Sequence, residues 1–405
     1  MSADVLSQES LDPLLTFNEP LDESQIDLDQ DNLDGFGEIN VDVAFPHVCV
    51  KTSDINRFLR GAALLANSVG RDVISRSVSF VVSGDSLVAR STDLDSFLEC
   101  SLPIQNTKNL LSSPQHGWSI QLDVLLKLVK AAATNLIFFH SDDKLHVRLA
   151  CGDIGVETLG VSSDKFTCPG DFRAIANVQA ASMSDVLKAL SPIAIAASTP
   201  NERRIYIRDG VAFSSHLWAA ISHETDLPDG EIQAKDSLIL RHLLTSCTGT
   251  VSILETADSL LRVCYSASQF KYFTIKSNLS SQNSLFSQLS SIPSSGIYLD
   301  LRQLFKTISL SSDLPYSIGK FGVNYSQGCV TFTIKTKQSE DSVFNLSGSQ
   351  EGPTKPLSKE VALQAKLVKL LLQSFRSSAS IKVSVTKDGF YLSSESINAA
   401  CFVEC

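Results

Sequence analysis

The chain has 405 residues, of which 43% are apolar and 7% aromatic, and a formal net charge of −10. That length and apolar content suit two to four domains with cores of their own and exclude a disordered protein. The absence of any run of about eighteen apolar residues, and of a basic and apolar leader in "MSADVLSQES", excludes a membrane partner and a secreted protein and predicts a cytoplasmic one.

Residues 1–45 contain twelve of the 44 acidic residues, from Asp4 to Asp42, and no Lys or Arg. Dense like charge without periodicity reads as an acidic arm, disordered or loosely docked. Taking the twelve away leaves 34 basic and 32 acidic residues, so the globular part is free to bind a polyanion.

From Phe45 onward the chain repeats, in three blocks at 46–170, 171–294 and 295–405. Each block opens with an amphipathic helix, predicted at 52–69, 181–198 and 298–312. A hairpin follows ("SVSFVVSGDSLVARS", "RIYIRDGVAFSS", "KFGVNYSQGCVTFTI"), then a second helix at 120–134, 234–247 and 359–375, then alternating strands. The fold class is α+β: three tandem domains, each with two helices on antiparallel sheets, or six copies of one half-unit. Pro192 is expected to kink or end its helix early.

Each predicted helix has one carboxylate near its start (Asp54, Asp123, Asp185, Asp236, Asp300, Glu360), where it meets the positive end of the dipole. Beyond it the charge is purely basic: Arg57, Arg60, Lys127, Lys130, Lys188, Arg241, Arg302, Lys306, Lys366, Lys369 and Arg376. Solvated helices mix signs through i, i+4 pairs, and these do not. A basic wall of this kind attracts phosphates without reading sequence, and nothing suggests base readout. Arg203 and Arg204, after "TPNE", join the candidate phosphate contacts.

Catalysis has no candidates. The seven histidines are dispersed, and no H-E-x-x-H, G-x-S-x-G, P-loop or G-x-G-x-x-G stretch occurs. "SDD" at 141–143 reads as a hairpin turn rather than a metal site. The nine cysteines are scattered, odd in number and never C-x-x-C, so they are expected to be reduced thiols, mostly in the core, without zinc or other cofactor.

With "STDLDSFLECSLP" at 91–103, "GDIGVETLGVSSDKF" at 152–166 and the threefold repeat, residues 46–405 resemble the bacterial and phage DNA polymerase III beta-type sliding clamp. In that family a Thr-Asp-Leu element on a first-domain strand is a structural hallmark, and Thr92, Asp93 and Leu94 match it. The resemblance implies a non-enzymatic processivity factor, a head-to-tail homodimer closing a ring around double-stranded DNA. Its implied partners are a replicative DNA polymerase and an ATP-driven clamp loader. It places the ring interface at Ile154 and Val156 against the block-three helix near Leu310. It places the partner-peptide pocket between blocks two and three, with "FSSHLW" at 213–218 as one wall (His216, Leu217, Trp218) and the C-terminus as the other (Phe402, Val403).

This sequence departs from the family in three ways. Only His216 survives of the usual Thr-Asp-Gly-His-Arg-Leu wall, "AACFVEC" replaces the usual C-terminus, and block two is short between Arg204 and His216. Such divergence suggests a phage-encoded or otherwise remote clamp. "LDPLLTF" at 11–17 and "QIDLDQ" at 25–30 suggest that the acidic arm docks back on the pocket or on the basic face. Two other readings stay open: a clamp-fold scaffold or regulator that has lost ring closure, and a viral structural ring without a role on DNA.

Overall fold

The computed structural model describes residues 45–402 except 67–72, 107–109, 113–116, 257–261, 276–288, 290–292, 313–317, 325–328, 336–341, 352–358 and isolated positions such as Leu217. The expectations for the acidic arm and for Val403 lie outside the described residues.

Six times the chain runs strand, helix and three-stranded meander. The first half-unit is β1 (His47–Lys51), α1 (Thr52–Ala66), β2 (Ser77–Ser83), β3 (Ser86–Thr92) and β4 (Phe97–Pro103); the second is β5 (Trp118–Gln121), α2 (Leu122–Ala131), β6 (Asn135–Ser141), β7 (Lys144–Leu149) and β8 (Gly152–Val156). Then come β9 (Phe172–Gln179), α3 (Ala180–Ala196), β10 (Arg204–Arg208), β11 (Val211–His216) and β12 (Ala219–Glu224), followed by β13 (Gly230–Gln233), α4 (Ala234–Leu244), β14 (Thr250–Thr256), β15 (Arg262–Ser266) and β16 (Phe270–Ile275). The fifth is β17 (Gly296–Asp300), α5 (Leu301–Ser312), β18 (Ile318–Asn324), β19 (Cys329–Lys335) and β20 (Ser342–Ser347), with the short β21 (Ser349–Glu351) after it. The last is β22 (Lys359–Gln364), α6 (Ala365–Gln373), β23 (Ser380–Val385), β24 (Gly389–Ser393) and β25 (Ile397–Phe402).

All strand pairings within the four sheets are antiparallel, and paired half-units exchange their first strands. Thus β1 joins β6-β7-β8, β5 joins β2-β3-β4, β9 joins β14-β15-β16 and β17 joins β23-β24-β25. Two sheets continue across block boundaries. β4 pairs with β16, giving the eight-stranded order β5-β2-β3-β4-β16-β15-β14-β9; β12 pairs with β25, giving the nine-stranded order β13-β10-β11-β12-β25-β24-β23-β17-β21. The remaining sheets, β1-β6-β7-β8 and β20-β19-β18-β22, have four strands each.

The six helices pack side by side in one row, α2-α1-α4-α3-α6-α5, against the sheets. Apolar residues at helical spacing do this: α1 buries Ile55, Phe58, Leu59, Ala62 and Leu65. Fully removing such a side chain from water stabilises the fold by about 1.5–3 kcal/mol. Each helix follows its first strand directly; at α5 the Asp300 carboxylate accepts the Gln303 amide at 3.0 Å.

Several sequence expectations are corrected. Pro192 does not end α3, which continues to Ala196 because Ile193 and Ala194 are fully buried and packing outweighs the lost hydrogen bond. Residues 359–364 are a strand, not the start of a helix: β22 pairs with β18 along its length, so Glu360 caps nothing. Asp185 sits in the second turn of α3 and pairs with Lys188 at 3.5 Å instead of capping. The cysteines are less buried than expected. Of those described, Cys100, Cys264 and Cys401 are buried, Cys49, Cys168 and Cys247 half-buried, and Cys151 exposed in the turn between β7 and β8. Burial pushes the first three thiols up to about 12, which leaves them protonated and inert at neutral pH. In the hairpin between β6 and β7, Asp143 takes a left-handed φ of 63°, in line with the turn reading of "SDD".

Candidate functional sites

The helix row concentrates positive charge. Within the six helices the acids are Asp54, Asp123, Asp185 and Asp236, against Arg57, Arg60, Lys127, Lys130, Lys188, Lys235, Arg241, Arg302, Lys306, Lys366 and Lys369. Lys127, Lys130, Lys188, Arg302 and Lys306 are exposed, as are Arg203 and, just beyond α6, Arg376; Arg57, Arg60, Arg241 and Lys369 are half-buried. Some are already engaged. Arg57 lies 3.8 Å from Asp54 and donates to Gln269 at 3.4 Å, and Arg203 donates to the Ala197 carbonyl at 2.8 Å. Arg204, a candidate phosphate contact, opens β10 and pairs at 2.9 Å with Glu231, whose side chain is fully buried, an engagement within the fold.

The Thr-Asp-Leu element forms the turn between β3 and β4. Thr92 Oγ1 donates to the Ser96 carbonyl at 2.8 Å and accepts the Leu94 amide at 2.9 Å; Asp93 Oδ1 accepts the Asp95 and Ser96 amides at 3.1 and 2.6 Å. This double side-chain cap holds Leu94 at φ 79°, a region most L residues avoid. Across the junction, Lys235 of α4 pairs with Asp93 Oδ2. Beside it the buried Asp236 carboxylate accepts Tyr272 OH at 2.6 Å and Thr274 Oγ1 at 3.0 Å. The element therefore binds the first half-unit to the fourth through polar contacts. Sequence reading missed Lys235, Tyr272 and Thr274 and gave Asp236 only a place at the start of its helix, because only the β4–β16 pairing brings these residues together beside Asp93.

Burial pushes the Asp236 carboxyl above its ordinary range, against the opposing pull of Tyr272, Lys235 and Thr274. The folded chain thus holds this proton more tightly than the unfolded one. Stability from this group is greatest below the unfolded value of about 3.9 and falls as pH rises through the folded value. Asp236→Asn is expected to remove that dependence and to change stability at pH 7.5 by no more than about 1 kcal/mol. Urea melts of both proteins from pH 4.5 to 7.5 test this; a variant well over that margin less stable at pH 7.5 would show that the charge itself is required.

The corresponding turn at the second junction, between β11 and β12, contains His216 and Trp218. The Trp218 carbonyl accepts the Phe402 amide at 2.7 Å, so the two expected pocket walls do meet; Leu217 lies outside the described residues. On the sheet face turned away from the helix-facing core, Ala220, Tyr391, Ala400 and Phe402 form an apolar cluster with Leu289, and Tyr391 meets Phe402 edge-on at 6.2 Å. Tyr391 and Leu289 carried no sequence signal, since the first lies on an ordinary alternating strand and the second in a Ser-rich connector. The two junctions differ on this face. The first carries an ion-paired ladder, with Glu99 2.8 Å from Arg90 and 3.2 Å from Lys271, where the second is apolar.

β8 and β20 each end a four-stranded sheet. On β8, Val156 is sealed in the core at 5% exposure while Ile154, two residues back on the same face, is 43% exposed. Only Ile154 offers fresh apolar surface. Leu310 lies on α5, and its side chain is not described.

This architecture is the fold of the DNA polymerase III beta sliding clamps. A clamp structure from Bacillus subtilis matches with a TM-score of 0.68 at 13% identity, covering 89% of this chain and 99% of that one. The beta subunit from Thermotoga maritima gives the same figures. The Streptococcus pyogenes beta subunit matches with a TM-score of 0.67 at 9% identity over 88% and 99%. No family model matches the chain, and no curated protein does. Among the described residues no helix is long and apolar enough to cross a membrane.

Proposed function

We propose that the chain is a DNA sliding clamp, a non-catalytic ring that holds a replicative polymerase on duplex DNA. One observation carries the reading. Both built junctions join the last strand of one half-unit to the last strand of another, β4 to β16 and β12 to β25, and pack helices beside them, α1 on α4 and α3 on α6. The last strands left over are β8 and β20, and the helices at the ends of the row are α2 and α5. A second copy joined head to tail satisfies both sets at once, and such heterologous contacts close into a ring by rotation. The interface is then β8 with Ile154 against β20, beside α5 with Leu310; Val156 supports it from within the core.

The helix row would line the hole. Exposed Lys and Arg there contact phosphates weakly and exchangeably, so that topology supplies persistence while the contacts permit sliding. Polymerase and loader would dock peptides at the second junction, near His216, Trp218 and Phe402. The test is retention on nicked circular plasmid, with and without a loader, before and after one restriction cut. Retention at high salt that vanishes on linearisation is expected; equal, salt-sensitive retention on both forms would replace this reading with a scaffold that binds DNA from outside. The triple variant Lys127→Gln, Lys130→Gln, Lys306→Gln is expected to lower the salt slope of DNA binding by about three, one for each phosphate that a lysine no longer neutralises. An unchanged slope in a filter-binding titration would place DNA elsewhere.

A further inference from the structure

The repeat has a rule for its sheet edges. Each half-unit's first strand lies at the outside of its pairing, and in the first, second and fifth half-units the tail after the meander folds back to cover it. In the first half-unit, Gln105, Asn106 and Leu111 cover β1: Gln105 and Leu111 donate to the Cys49 and His47 carbonyls at 2.8 and 3.2 Å, and Asn106 Oδ1 accepts the Cys49 amide at 2.8 Å. In the second, the Leu159 amide donates to the Ser119 carbonyl of β5 at 2.7 Å. In the fifth, β21 pairs with β17 from Gly296 to Tyr298.

β9 breaks the rule. Its tail is residues 225–229, which run straight from β12 into β13 and are tied to Gly210 and, through Asp226, to Ser182. Among the described residues β9 pairs with β14 alone, although it is the longest of the first strands. The tails of β13 and β22 run into residues outside the described set. Leu289, the connector residue seated among buried neighbours, packs on the nine-stranded sheet, whereas β9 edges the eight-stranded one. On β9, Arg173, Ala174 and Ile175 are exposed, Ile175 by 45%. The register slips opposite Ile253 and Leu254, leaving Ile175 as the extra, bulged residue.

We infer that β9 is a docking edge for an extended segment of a partner protein, which adds to this sheet as a ninth strand. Main-chain hydrogen bonds supply the attraction, as they do where the chain's own tails cover β1 and β17. The segment is proline-free and carries an apolar side chain to lie beside Ile175. The bulge twists the edge and disfavours flat pairing between identical edges, so a foreign strand fits better than a second copy.

Hydrogen exchange on the full chain tests this. The amides of 172–178 that point away from β14 are expected to exchange at least about tenfold faster than those of 47–51 and 296–300. A synthetic peptide of residues 345–352, the proline-free segment containing β21, is the probe; at about millimolar concentration it should slow β9 at least threefold and leave 230–233 unchanged. Ile175→Asp and, separately, Ala174→Asp, both at exposed positions, should abolish the slowing without altering the melt. Protection of β9 in the free chain would mean that this chain or a second copy already covers it. That result, no effect of the peptide, or equal slowing in both variants would overturn the inference.

Discussion

Asp93→Ala is expected to destabilise the chain by about 2–4 kcal/mol. The loss has two parts of unequal size. Asp93 Oδ1 satisfies the Asp95 and Ser96 amides in a turn where Asp93 is 1% exposed, so truncation leaves two donors without their acceptor. The pair with Lys235 contributes less than its burial on the Asp93 side suggests, because the Lys235 side chain keeps 29% exposure and can turn its ammonium to water. Asp93→Asn keeps the Oδ1 acceptor and should therefore lose less than half as much. Lys235→Met in the Asn background should cost little further, since the charge partner is already gone. Urea denaturation combined with hydrogen exchange at 86–103 and 270–275 would read the loss at the junction itself, where a three-block chain need not unfold in one step. An Ala variant as stable as the parent would mean that water replaces the carboxylate and that the turn is not the fastening inferred from its geometry.

The same residues show what a sequence can disclose. Half-unit repetition was legible because each copy writes the same alternation of periods, 3.6 for the helix and 2 for the strands, in side chains that must all face one core. Thr92-Asp93-Leu94 stood out as a motif, but its purpose did not. That depends on Lys235 and Tyr272, more than 140 residues away and brought near by β4 meeting β16. The strand at 359–364 was misread because "KEVALQ" is too short to separate the two periods, and only its pairing with β18 decides the matter. His216, Trp218 and Phe402 were named from the resemblance, whereas Tyr391 and Leu289 join Phe402 in the apolar cluster through sheet geometry that no local pattern encodes. Charge was legible as a bias along each helix; that the six helices form one row belongs to tertiary structure.

Ile154→Asp is expected to convert the proposed dimer to monomers, raising its dissociation constant at least about ten-thousandfold, and to abolish retention on circular DNA. A carboxylate placed in a closing β8–β20 seam is desolvated without a partner, a cost of about 3–5 kcal/mol per interface. The proposed ring has two such seams, so the penalty applies twice. Because Ile154 is exposed on the isolated chain, the variant's own melt should stay within about 0.5 kcal/mol of the parent, which separates failure to assemble from failure to fold. Val156→Asp makes the contrast. Val156 is core, and its replacement should unfold block one before any question of assembly arises. Sedimentation of the three proteins from about 0.1 to 50 μM, a range suited to dissociation constants near micromolar, then separates the readings. A dimer that survives Ile154→Asp unchanged would move the interface away from β8. A parent chain monomeric across the whole range would leave β8 and β20 unpaired in solution, and ring closure would then have to come from DNA or a loader, or the scaffold reading would stand.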